Sequence, residues 1–128
     1  MNEIHGLAEF QRALEYRRSP VHQAVEIDDL EELTRLLDAG HNPNEFDAYN
    51  GWTPLLHAID GEADGAVQTG TPLQAACTAV LLAYGADPEL AARDDGLTPM
   101  HLAVQVNHEL AVRLLEAHIA RRRSADSR

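Results

Sequence analysis

One pattern recurs three times along the 128 residues and leaves few folds open. A hydroxyl residue followed by Pro opens each copy: Ser19-Pro20, Thr53-Pro54 and Thr98-Pro99. A Leu-Leu pair follows each, at Leu36-Leu37, Leu81-Leu82 and Leu114-Leu115, and the first two pairs run into Gly40 and Gly85. Pro20 and Pro54 stand 34 positions apart, whereas Pro54 and Pro99 stand 45 apart, as do Gly40 and Gly85, and Gly51 and Gly96. The spacing reads as a repeat of about 33 residues whose middle copy carries one large insertion.

Local chemistry explains the pattern. Ser or Thr before Pro is an N-cap with Pro at the first helical position. The residues that follow put apolar side chains on one helical face: Val21, Ala24 and Val25; then Leu55, Ala58 and Ile59; then Met100, Ala103 and Val104. A turn and a second helix follow, the first of these carrying Leu33, Leu36 and Leu37. Gly40 and Gly85 suit the left-handed residue that closes a helix. Neither helix of such a pair buries its apolar face alone, so neighbouring pairs must stack.

Thr-Pro-Leu occurs twice in the middle copy, at 53–55 and 71–73. From Ser19 to Leu36 the chain runs 17 residues. From Thr53 to Leu81 it runs 28, and from Thr71 only 10, too short for a helix, a turn and most of a second helix. Thr53 therefore starts the unit. Thr71-Pro72 is expected to cap its second helix, lengthened to about 72–84. The remaining extra residues, 61–70 (GEADGAVQTG), hold three Gly, two acids and no apolar period, and are expected to form a loop.

These segments resemble the ankyrin repeat. GLTPMHLA and LLAYGADP match the family pattern Gly-x-Thr-Pro-Leu-His-x-Ala and Leu-Leu-x-x-Gly-Ala-Asp closely, and SPVHQA and LLDAGHNP match it more loosely. The resemblance covers about 19–118. It implies an all-α solenoid of helix–turn–helix repeats joined by finger-like β-turn loops, and a role in binding other proteins. The expected division is an N-terminal capping helix at 1–18 (around Leu7, Phe10 and Leu14), repeats at 19–50 and 51–95, a C-terminal capping repeat at 96–120 and a basic tail at 121–128. Departures are visible. Leu56 stands at the family's His position, with His57 one place late. The fingers at 44–51 and 89–96 each run one residue long, and the third repeat lacks the closing Gly-Ala-Asp. Arg121 to Arg123 are expected beside the negative end of the last helix dipole.

Charge narrows the function. The formal net charge is −11, and residues 21–95 hold fifteen Asp and Glu against Arg35 and Arg93 alone. Such a middle repels phosphate, which argues against direct nucleic-acid binding. It favours encounter with a basic protein surface, besides keeping a small domain soluble. No apolar run approaches the 18 residues of a membrane span, and MNEIHGLAEFQRALEYRRS lacks the apolar core of a secretory signal. Cys77 is the only cysteine, so a cytoplasmic setting is expected. All ten cations are Arg, which with the high Ala content suggests the coding bias of a GC-rich, bacterial genome.

No motif carries catalysis. His22 and His101 fall at the family's His position, where the resemblance implies that imidazoles tie neighbouring loops. His5, His41, His57, His108 and His118 show no paired metal spacing. Cys77 lies in apolar AACTAVLL and reads as a buried thiol. EIDDLEEL lacks the alternate-oxygen spacing of a calcium loop, and Asp28 and Asp29 fit a helix N-terminus better. No cofactor and no metal are expected.

The aromatics are more pointed. Phe46, Tyr49 and Trp52 share one finger with Asp47. Trp52 is read equally as a residue packed between fingers or as a binding anchor, while Tyr49 and Phe46 are read as anchors. The concave face that the resemblance implies would also carry Glu26, Asp60, Leu97 and Gln105. The insertion would lie at the end away from the fingers, as tolerated length or as a second contact. The function expected is a non-enzymatic module binding a basic protein, in its sharpest form an immunity protein neutralising a cognate toxin. The alternatives are a regulatory scaffold or adaptor and, least supported, a small enzyme using His57, Cys77 or the acid cluster.

Overall fold

Ser19-Pro20, Thr53-Pro54 and Thr98-Pro99 each open a helix. The computed structural model describes residues 19–126; the expected helix around Leu7, Phe10 and Leu14 lies outside them. Among the described residues there are six helices and no strand: α1 (Pro20–Glu26), α2 (Leu30–Asp38), α3 (Pro54–Thr69), α4 (Ala76–Ala83), α5 (Pro99–Gln105) and α6 (Glu109–Asp126). None of them is long and apolar enough to cross a membrane. The fold is all-α, with the helices paired as the resemblance implies.

Capping follows the sequence at two of the three starts. Thr53 Oγ1 accepts from Leu56 N–H, and Thr98 Oγ1 from His101 N–H. Ser19 does not cap; its hydroxyl donates to Glu45 Oε2 at 2.9 Å. A hydrogen bond to an ionised carboxylate is stronger than one from a backbone amide, and it diverts the hydroxyl. Asp29 caps α2 by accepting from Glu32 N–H, while Asp28 adopts the left-handed conformation just before it. At the far end of α2, Gly40 has φ +98°. There Gly40 N–H bonds Leu37 C=O and His41 N–H bonds Leu36 C=O, the paired closure a left-handed Gly permits. The same pair of bonds closes α4 around Gly85.

The expected loop at 61–70 is instead helix. α3 runs through Thr69 and ends at Gly70 in the left-handed region. Gly61 and Gly65 each cost a helix roughly 1 kcal/mol, but Glu62 and Ala63 between them are buried against the stack. Gln68 to Asp64 and Thr69 Oγ1 to Gly65 C=O add local bonds. Thr71-Pro72 consequently caps nothing. Residues 70–75 form a non-helical connection, the Thr71 hydroxyl meets Thr69 Oγ1, and α4 begins only at Ala76. The expected tail is likewise helical through Asp126; Arg122 and Arg123 fold back onto Asp87 and Glu89.

The helices stack in two rows. α1, α3 and α5 pack side by side in one row, α2, α4 and α6 in the other, and each pair closes on itself. A single apolar core runs through the stack, from Val21, Leu33 and Leu36 through Leu55, Ile59 and Leu81 to Leu102, Ala111 and Leu115. The two fingers have matching backbone turns: Asp47 N–H bonds Trp52 C=O, and Ala92 N–H bonds Leu97 C=O. Arg93 N–H joins them by bonding Gly51 C=O at 2.9 Å.

Gly51 and Gly96 sit at equivalent finger positions with φ +71°, but only Gly51 is crowded. A Cβ there would stand 3.0 Å from Arg93 Cβ and from Asp94 Oδ1, whereas at Gly96 nothing lies within 4 Å. Gly96→Ala is expected to cost about 1 kcal/mol for the left-handed backbone. Gly51→Ala should cost about 2–3 kcal/mol, because the second finger must also move. Urea unfolding checks this; equal losses would contradict the crowding.

Candidate functional site

The finger residues picked from sequence divide into exposed and internal groups. Tyr49 projects from the first finger with 79% of its surface exposed. Phe46 is partly buried, with the Arg93 guanidinium 6.0 Å from its ring centroid. Glu26 on α1 and Gln105 on α5 are exposed, and Asp60 on α3 is partly so. Trp52 and Leu97 are partly buried and pack against the core, and the Trp52 ring lies 5.1 Å from that of His57. For Trp52 the packing role is therefore visible.

Asp47 is buried rather than presented to solvent. It is 8% exposed, and its carboxylate is committed inward. Oδ1 accepts from the N–H groups of Tyr49 and Asn50, and Oδ2 meets His57 Nε2 at 2.6 Å. Burial works to raise its pKa, but the Asn50 amide and His57 outweigh it and hold the carboxyl below its ordinary value. Asp47 shapes the finger that carries Tyr49. Sequence could not show this, because the partner that draws it inward, His57, lies in the next helix.

His57 sits between Trp52 and His22, its ring edge-to-face with His22 at 5.2 Å. His22 is 3% exposed, and its Nε2 bonds Glu45 C=O at 2.6 Å. A carbonyl can only accept, so Nε2 carries the proton and Nδ1 the lone pair. That Nδ1 is buried without a hydrogen-bond partner. Desolvation lowers the His22 pKa, against the opposing pull of the Glu45 bond. His22 thus ties the finger base to α1, as the resemblance implies. His101 is exposed and shows no such tie among the described residues.

A second polar node lies deeper. Glu62, 7% exposed, accepts from Thr78 N–H and Thr78 Oγ1 on α4 and from His108 Nε2. His108 in turn accepts from Ala111 N–H through Nδ1, standing as the N-cap of α6 and leaving its ring proton on Nε2 for Glu62. One carboxylate on α3 therefore serves the starts of both α4 and α6. Beside it a cleft of about 360 Å³ opens between α1 and α3, bordered by Glu26, Asp28, Gly61, Gly65 and Cys77. Burial pushes the Cys77 thiol up to about 12, and its Sγ–H donates to Asp28. A thiol held protonated in this way is not a nucleophile.

Comparison with known proteins gives a consistent result. The family described as ankyrin repeats (3 copies) matches residues 21–123. The ARF GTPase-activating protein GIT1 of Homo sapiens, and that of Mus musculus, are each 39% identical over 97 residues, covering 75% of this chain and 11% of theirs. The 2-5A-dependent ribonuclease of Homo sapiens is 33% identical over 81 residues, covering 63% of this chain and 9% of its own. The chain spans about a tenth of the length of these curated relatives.

The Glu62 node gives a stability test. Glu62→Ala leaves the donors of Thr78 and His108 buried without an acceptor and should cost about 3–5 kcal/mol. Glu62→Gln keeps one acceptor oxygen for three donors and should lose less. Urea unfolding of both variants checks the order; a loss below about 1 kcal/mol for Glu62→Ala would remove the node from the account.

Proposed function

The chain belongs to the ankyrin-repeat family, and on that premise we propose that it is a non-enzymatic module whose finger edge and row of α1, α3 and α5 take a basic protein partner. Ankyrin repeats indicate a protein–protein interaction module; the partner's charge and the surface used are the proposal. The functional unit is the three repeats 19–50, 51–95 and 96–120, in a cytoplasmic setting that suits a single buried thiol.

The observation that carries the reading is Tyr49, a large aromatic side chain 79% exposed on a finger whose backbone is held from within by Asp47. A rigid, exposed aromatic is the usual anchor of a binding surface. Around it acids outnumber cations. Glu45, Asp94 and Asp95 are exposed on the two fingers and Glu26 at the end of α1, while Glu89 pairs with Arg123. Arg93, the one cation of the described fingers, is paired with Asp94. A surface of this kind steers a basic partner and loses strength with salt.

The partner should be captured from lysate of the native host and its affinity measured at low and high salt. Tyr49→Ala, with unfolding unchanged, is expected to weaken binding about 30-fold, the loss of one hot spot. Glu26→Gln with Asp60→Asn should slow association and flatten the salt dependence. Binding indifferent to both salt and Tyr49→Ala would refute this surface. If co-expression blocks the toxicity of the captured protein, the chain is an immunity protein; if the partner stays active, it is an adaptor.

A further inference from the structure

We propose that His22, His57 and Asp47 form a binding site for a first-row divalent cation of the Zn²⁺ class. The ligands are His22 Nδ1, His57 Nε2 and Asp47 Oδ2, and water completes the shell. The inference is independent of the partner-binding reading.

Three observations converge. One nitrogen of each histidine and one carboxylate oxygen of Asp47 lie within 4.8 Å of one another. Tetrahedral Zn²⁺ with bonds of about 2.0–2.2 Å holds its ligand atoms roughly 3.3 Å apart, so the closure required is small. His57 Nε2 and Asp47 Oδ2 already touch at 2.6 Å and part slightly to admit the ion.

The second observation is the unpartnered Nδ1 of His22, a lone pair inside the protein on a residue 3% exposed. A buried imidazole nitrogen without a partner is costly, and a cation satisfies it directly. The third is the support behind the ligands. A histidine that binds metal almost always donates its other N–H to a carbonyl or carboxylate, and His22 does so to Glu45 C=O. A ligating carboxylate is in turn hydrogen-bonded, and Asp47 Oδ1 is held by two backbone amides.

The chemistry selects the ion. Two imidazoles and one carboxylate suit Zn²⁺, Co²⁺ or Ni²⁺ and are poor ligands for Mg²⁺ and Ca²⁺, which want oxygen. On binding, the His57 proton moves from Nε2 to Nδ1, and the metal takes its place against Asp47. The His57 side chain, 21% exposed, provides the way in. The ion would join α1, the first finger and α3, and so brace the base of the loop that carries Tyr49.

The test uses the untagged chain, stripped with chelator and titrated with Co²⁺ and Zn²⁺. A 1:1 site with visible Co²⁺ bands, displaced by Zn²⁺ and not by Mg²⁺ or Ca²⁺, is expected, with a rise in Tm that chelator reverses. His57→Ala and Asp47→Asn should each weaken Zn²⁺ at least about tenfold, while His101→Ala leaves affinity unchanged. Because Asp47→Asn also loosens the finger, the wild-type chain supplies a second reading. In ¹⁵N NMR the His22 Nδ1 resonance should shift with one equivalent of Zn²⁺. The proposal is overturned if no saturable binding appears, if affinity survives His57→Ala, or if the shifts fall on His41 or His101 instead.

Discussion

No helix pair among the described residues covers its own apolar face, and the other features follow from that shortage. Leu55 and Ile59 on α3 are buried because α1 and α5 flank them, and Leu81 on α4 because α2 and α6 do. Burial is thus a property of junctions between repeats. Each junction must also satisfy polar backbone where the chain crosses. Asn44 does this on the finger side, donating to Gly85 C=O and accepting from Asp87 N–H. Arg93 N–H on Gly51 C=O repeats the arrangement one turn further along the fingers.

The insertion shows how extra length is absorbed in such a stack. Added residues could have hung from the end of the repeat, yet they extend α3 by more than two turns. What holds them is Glu62, which supplies the acceptor that α4 lacks, since Ala75 cannot cap. The same carboxylate orients His108 at the start of α6. A buried charge of this kind is a weak source of net stability but a strong specifier of geometry, because removing either partner strands the other.

Much of this architecture was legible in the residues. Pro-led caps, the closing Gly40 and Gly85 and the repeat spacing depend on local chemistry, and local chemistry is what a single sequence displays. The errors have a common cause. Residues 61–70 read as loop because their Gly and acids are poor local helix formers, while the groups that make them helix, Thr78 and His108, lie 16 and 46 positions away. Asp47 read as a surface acid for the same reason: His57, which draws it inward, becomes its neighbour only when the chain folds back. His22 and His57 show no metal spacing because they sit one repeat apart, and only stacking brings their rings together. Tyr49 was legible as a finger residue, but not the internal bonds that hold its backbone.

The proposed binding edge is made of turns that backbone hydrogen bonds tie to one another above the helices. Native-state hydrogen exchange measures this most directly, comparing the amides of Asp47, Ala92 and Arg93 with those of Ile59 and Leu81. If the fingers are part of the stack, their opening free energies should fall within about 1 kcal/mol of the core helices. Finger amides that exchange at the rate of an unstructured loop while α3 and α4 stay protected would contradict the account.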